Sequence, residues 1–274
     1  MTTTFIGGGN MATALIGGLV ARGAAIADFR VVEPHPEARA RLASRFPGIA
    51  LYGECSRDAL AGTLLVVLAV KPQQMRDAAL ALAPHLGPAP VVLSIAAGIR
   101  LGDLARWLNG HGRLVRAMPN TPALIGKGIS GAFAAPSVDA PGRALVSAIL
   151  AAAGEQIWVG DEAAIDAVTA VSGSGPAYLF YFLEALDAAA RELGFAPADA
   201  RKLAYATFAG AMALAEASPM EPAALRAQVT SKAGTTERAI ATMETGAVKA
   251  TIIAAVKAAL QRAVEMGDAF GVDA

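Results

Sequence analysis

The chain has 274 residues, enough for two domains and a sizeable buried core. Lys and Arg number 23 against 23 Asp and Glu, so the charge balance gives no footprint for nucleic acid or an anionic membrane surface. Cys55 is the only cysteine and has no ligand spacing with His35, His85 or His111, which excludes an internal disulfide and leaves no zinc site to expect.

The first residues lack the basic start and long apolar stretch of a signal peptide, so a cytoplasmic, reducing location is expected. Thr3–Ile6 opens the chain as a strand, and a helix is predicted over 11–22. Phe29–Val32, 64–70, 91–95 and 113–117 are further strands, separated by helices over 36–46, 72–83 and 101–108. That alternation predicts a parallel sheet wrapped on both faces. The run 64–70 is apolar throughout, as a strand covered on both faces should be. It is the strongest aliphatic run, far below the roughly 18 residues of a membrane span. One or two more strands are expected at 129–134 and 156–159.

Near Asp161 the pattern changes to helices alone, over 162–171, 176–193, 197–217, 235–244 and 247–270. Gly194 stops one of them, Pro197 starts the next, and Ser218-Pro219 breaks another. The boundary is therefore placed between an α/β domain, 1–160, and an all-helical domain, 161–274. Hydrophobic residues make up 55% of the chain but aromatics only 5%, so its alanine-rich helices bury little apolar area alone. Faces such as 204–217 and 250–263 predict packing against a second copy.

Gly7-Gly8-Gly9-Asn10-Met11-Ala12 fits G-x-G-x-x-G/A between the first strand and its helix. Gly7 permits the tight turn, Gly9 lets a pyrophosphate approach the backbone, and Ala12 lets helix pack on strand. The free N–H groups at the helix start favour the anion. Glu33 ends the second strand, where a carboxylate accepts from a ribose 2′-hydroxyl and favours NADH; Arg39 and Arg41 could offset its repulsion of a 2′-phosphate. NADPH or NADH is therefore the expected cofactor. Ala69-Val70-Lys71-Pro72 leaves another strand at its carboxyl end, beside the expected ligand crevice, though Pro72 alone also explains a helix start. Asn120, in a loop stiffened by Pro119 and Pro122, offers a donor and an acceptor either to the nicotinamide or only to backbone. Ser172-Gly173-Ser174-Gly175-Pro176 reads as a pocket wall or as a tight interdomain turn. Ser231-Lys232-Ala233-Gly234-Thr235-Thr236 opens a helix whose free amides suit a carboxylate; plain capping is the alternative.

Taken together, several of these segments resemble pyrroline-5-carboxylate reductases: residues 5–12, 69–73, Ser94-Ile95-Ala96-Ala97-Gly98, 116–122, 167–178 and 230–236, in order over nearly the whole chain. The resemblance implies a Rossmann-type domain, a helical dimerisation domain, and reduction of 1-pyrroline-5-carboxylate to proline by a homodimer or a larger assembly of dimers. It implies that Ala69, Val70, Lys71, Pro72, Ala96, Ala97 and Asn120 meet the cofactor. Asn120 and Ser174 are also expected beside the substrate. Ser231, Gly234 and Thr235 are expected around the substrate carboxylate, with the Thr236 hydroxyl at the ring nitrogen. Two positions depart from the family pattern. Lys232-Ala233 stands where Pro-Gly is usual, and Ser56 stands where Asn commonly approaches the adenine ribose. A β-hydroxyacid dehydrogenase would need a helical-domain lysine, Lys249 or Lys257, and neither lies in a glycine-rich motif. A dinucleotide-sensing regulator finds no DNA-binding motif or basic stripe here.

Overall fold

The computed structural model describes residues 2–272. Its sheet has eight strands among these residues: β1 (Thr3–Ile6), β2 (Phe29–Val32), β3 (Ala50–Tyr52), β4 (Leu65–Leu68), β5 (Val91–Ser94), β6 (Leu114–Met118), β7 (Gly128–Ala134) and β8 (Gly154–Trp158). The spatial order is β3-β2-β1-β4-β5-β6-β7-β8. Every neighbouring pair is parallel except β6–β7. The first six strands thus have the Rossmann order, in which the direction of winding reverses between β1 and β4.

Side-chain alternation explains why the sheet is covered twice. Phe5, Val31, Val67, Leu93 and Val115 belong to one core cluster, while Ile6, Val32, Val66, Val92 and Leu114 belong to another. Successive residues of one strand point to opposite faces, so each face carries its own apolar layer. The covering helices are α1 (Asn10–Ala21), α2 (Pro36–Arg45), α3 (Arg57–Leu60), α4 (Met75–Leu82), α5 (Leu101–Trp107) and α6 (Ala140–Ala151). α7 (Ala164–Val168) follows β8 and runs directly into a π turn, Thr169–Gly173.

The remaining helices are α8 (Gly175–Glu192), α9 (Pro197–Glu216), α10 (Pro222–Gln228), α11 (Thr235–Thr245) and α12 (Val248–Gly271). Two compact units divide the chain. One runs to Ser174 and takes in the chain from Ala259 onward; the other is Gly175–Ala258. This division differs from the change of pattern at Asp161, for two reasons visible in the first unit. Asp166 of α7 is ion-paired with Arg116 in the sheet, and Val168 lies so near β7 that a Cβ on Gly131 would come within 2.6 Å of it. At the other end, Asp268 pairs with Arg100 at 2.7 Å, and Phe270 lies against Gly98, whose φ of +73° suits glycine.

In the second unit α8 is followed by Gly194, whose φ is +95°, and the Phe195 amide reaches back to the Ala190 carbonyl. Pro197 then opens α9. Nothing is buried in α8, α10 or α11, and α9 buries only Ala200 and Ala204. Among the described residues no single helix is long and apolar enough to cross a membrane.

Candidate functional site

The glycine turn sits at the carboxyl end of β1. Gly7 donates to the Val32 carbonyl at 2.8 Å and has φ +95°. A Cβ on Gly7 would lie 2.9 Å from the Ala69 carbonyl oxygen, and one on Gly8 would strike Leu42. Gly9, by contrast, faces open space and caps α1, leaving room where a pyrophosphate would meet the first-turn amides of Asn10 and Met11. Ala12, in the first turn of α1, is fully buried. These residues form a cradle that a dinucleotide fits and a side chain would fill.

Glu33 is only 8% exposed. Its carboxylate accepts from the Gly8 amide at 2.9 Å and from the His35 amide at 3.0 Å. One oxygen thus braces the glycine turn and the other the start of α2, a role the sequence reading did not give them. Arg39 anchors the same corner, donating to the carbonyls of Glu33 at 2.7 Å and Pro34 at 2.9 Å. Glu33→Gln is expected to weaken NADPH and NADH alike. Its amide nitrogen can face only one of the two backbone donors as a donor itself, so one bond becomes a clash of donors. The loss should be about 1–3 kcal/mol, roughly fivefold to 150-fold in affinity. Fluorescence titration with each cofactor checks this, and a change confined to one cofactor would return Glu33 to reading the ribose. Ser56 uses its hydroxyl to cap α3, accepting from the Ala59 amide at 3.2 Å.

A cavity of about 240 Å³ lies at the reversal between β1 and β4. Met11, Ala69, Val70, Met118, Asn120 and Gly173 are on its wall. In open α/β sheets this is where a ligand binds. Asn120 lines the cavity, but its amide is tied to backbone at both ends: Oδ1 accepts from Ile129 at 3.0 Å and Nδ2 donates to the Ser172 carbonyl at 3.1 Å. Ser174 closes the π turn, its amide donating to the Thr169 carbonyl at 2.8 Å. Ala96 is buried in the core cluster below the β5 loop, whereas Ala97 is half-buried. Lys71 is exposed just before the short 3-10 turn that Pro72 opens.

The second unit gathers Ser231, Gly234, Thr235 and Thr236 in one turn. The Gly234 amide donates to the Ser231 carbonyl at 3.1 Å, and a Cβ on Gly234 would strike the Ser231 hydroxyl. Gly234 caps α11, so Thr235 and Thr236 occupy its first turn, where amides lack partners within the helix. Thr235 is exposed and Thr236 half-buried. Ala233 has φ +59°, a left-handed conformation costing a side chain about 1–2 kcal/mol. The Glu237 carboxylate steadies it, accepting the Ala233 amide at 2.6 Å. The loop at Lys232-Ala233 therefore keeps a glycine-type backbone without the glycine.

Other chemistries find little support. Burial, and then the Glu54 carboxylate, push the Cys55 thiol up, which disfavours a reactive thiolate. Among the described residues no group of three His, Cys, Asp or Glu could hold a metal ion. Lys249 is paired with Glu244 at 3.2 Å.

Residues 162–266 match the family model for pyrroline-5-carboxylate reductase dimerisation, and residues 2–98 match NADP oxidoreductase, coenzyme F420-dependent. A pyrroline-5-carboxylate reductase of Pseudomonas aeruginosa is 44% identical, the alignment covering 97% of both chains. One from Haemophilus influenzae is 37% identical, again over 97% of both. Among solved structures, a pyrroline-5-carboxylate reductase from Coxiella burnetii superposes with a TM-score of 0.90 at 37% identity, covering 97% of this chain and 98% of that one. The Plasmodium falciparum pyrroline carboxylate reductase with NADP bound gives 0.85 at 25% identity over the same shares. With the glycine cradle at the sheet's reversal, the helical second unit and relatives of this similarity along almost its full length, the chain belongs to the pyrroline-5-carboxylate reductase family.

Proposed function

We propose that this chain reduces 1-pyrroline-5-carboxylate to proline, the last step of proline biosynthesis, as a cytoplasmic homodimer using NADPH or NADH. The observation that carries the reading is the cavity at the β1–β4 reversal, one wall made by the family's Met118-Pro119-Asn120 segment. Reduced nicotinamide, when bound, supplies the hydride. The chain's own groups position and polarise. The ring's C=N carbon accepts the hydride, and the π pair of that bond moves to the protonated nitrogen, which ends as the amine of proline. A protonated imine is already electrophilic, so orientation and electrostatics suffice, without a strong acid.

Residues 1–160, with the α7 and π-turn segment that packs on the sheet, are assigned to cofactor binding, and the helices after that turn to dimerisation and substrate binding. In this reading the α11 amides and the Ser231 and Thr235 hydroxyls hold the substrate carboxylate, and the Thr236 hydroxyl oxygen accepts from the protonated ring nitrogen. Ser174 and Asn120 flank the ring. Gly7 to Ala12, Glu33, Ser56, Ala69 to Pro72, Ala96 and Ala97 form the cofactor side, with Glu33 bracing the turn.

Steady-state kinetics with both cofactors, against five-membered and six-membered cyclic imino acids and a panel of 3-hydroxyacids, test this reading. The expected result is turnover with pyrroline-5-carboxylate in excess of every other substrate. Turnover confined to a hydroxyacid, or tight cofactor binding without any turnover, would overturn it.

A further inference from the structure

Strand β6 leads into the nicotinamide cavity, and the residue in its middle is a buried cation. Arg116 is 1% exposed. Its Nη2 donates to Asp166 Oδ1 at 2.5 Å, and its Nη1 lies 3.5 Å from Glu162 Oε1. That same Glu162 oxygen accepts the Leu101 amide at 2.7 Å, at the start of α5. One guanidinium therefore joins β6, the segment carrying α7 and, through Glu162, the start of α5. A buried ion pair contributes little net stability, because desolvation offsets its attraction. What a fork of fixed donors between two carboxylates sets firmly is geometry.

The geometry in question is that of the π turn that continues α7. Gly173 at its end lies against Met118, two residues beyond Arg116: a Cβ there would be 2.7 Å from Met118 Cε. Asn120, four residues beyond Arg116, holds the Ser172 carbonyl at 3.1 Å. Met118, Asn120 and Gly173 all line the cavity. The middle of α7 is thus pinned by Arg116, its end by the close approach of Val168 to Gly131, and the turn itself by residues of the β6 exit. π turns are costly to form and recur at functional sites.

We infer that Arg116 is a positioning residue for hydride transfer. Acting through Asp166, it holds the π turn as the wall that sets the angle of the nicotinamide ring. It is no catalytic residue, since it is enclosed beneath the wall and acts only through its partners. The inference rests on the reading of this cavity as the nicotinamide site.

Asp166→Asn keeps the side chain's shape and removes its charge; Glu162→Gln is the milder companion should the first variant fold poorly. Each is compared with wild type by the emission of bound NADPH, by NADPH affinity, by melting temperature and by kcat with 4-deuterated cofactor. The expected result is a shifted emission of bound NADPH with its dissociation constant, set mainly by the glycine turn and Glu33 rather than by the π turn, changed less than about threefold. Misplacing the ring should lower kcat roughly 10-fold to 100-fold and raise the deuterium isotope effect as hydride transfer becomes limiting. Arg116→Lys, which retains the charge without the fork, should keep less than half of the wild-type rate. Wild-type emission, kcat and isotope effect in a variant with only a lowered melting temperature would overturn the inference. Emission needs no imine, so it tests the wall even if wild-type enzyme fails to turn over pyrroline-5-carboxylate, a failure that would count against the proposed function instead.

Discussion

Thr236→Ala is expected to lower kcat for pyrroline-5-carboxylate about 100-fold, the size of effect seen when one preorganised hydrogen bond at a reacting centre is removed. The NADPH dissociation constant should stay within about twofold, because the cofactor cradle is built by Gly7, Gly9 and Glu33 at the other end of the sequence. The argument that the loss is local comes from the helix itself. Thr236 is in the first turn of α11, but the cap is Gly234, and the Glu237 carboxylate steadies the preceding amide. None of this needs the Thr236 hydroxyl. Alanine also has the higher helix propensity, so α11 should form at least as well without it. Thr236→Ser, which keeps the hydroxyl, should recover most of the rate. Single-turnover kinetics on both variants, with melting curves alongside, separate chemistry from folding. Unchanged turnover in Thr236→Ala would remove the residue from the site.

What the sequence made legible was whatever depends on neighbours along the chain. β1, β2 and β4 to β6 announce themselves by apolar runs between helix starts, and the glycine turn by its spacing. β3 escaped because three residues, Ala50 to Tyr52, between Gly48 and Gly53 give no period to read. α10 escaped for a similar reason, being seven residues long behind Ser218-Pro219. The π turn reads in sequence as a helix followed by a glycine-rich turn; its i to i−5 bond from Ser174 to Thr169 has no compositional mark. The site residues divide in the same way. Gly7 and Gly9 have roles fixed by local geometry. Asn120 and Glu33 do not, because their bonds go to Ile129, Ser172 and Gly8, partners chosen by the tertiary fold. A charge in an otherwise apolar strand, Leu114-Val115-Arg116-Ala117, was the one available sign of the buried pair with Asp166.

The other large effect concerns assembly. The wild-type chain is expected to sediment at twice the mass of one chain, and the double variant Tyr205→Glu/Met212→Glu at the mass of one. In α9 the fully buried residues are small, Ala200 and Ala204, while Tyr205 is 54% and Met212 51% exposed. Seven residues apart, the two share one stripe of the helix. Phe180 and Tyr181 on α8 and Leu214 on α9 are also largely exposed, at 59%, 73% and 59%. Isolated apolar residues on a surface need no explanation, but several large ones on adjoining helices that bury almost nothing do. An obligate homodimer interface typically covers about 2,000–5,000 Å² and resembles a core cut in half. At about 25 cal/mol per Å² of apolar area, covering such a surface would stabilise the helical unit substantially. A twofold contact presents each stripe to its own copy, so the variant would bring four carboxylates together in a dry interface, at a cost of several kcal/mol per buried charge. The separated chains should melt earlier and lose activity together with their partner. Sedimentation velocity over a range of concentrations decides the matter. A wild-type chain that stays single at every concentration, or a double variant that stays paired, would mean that these side chains are covered by something other than a second copy.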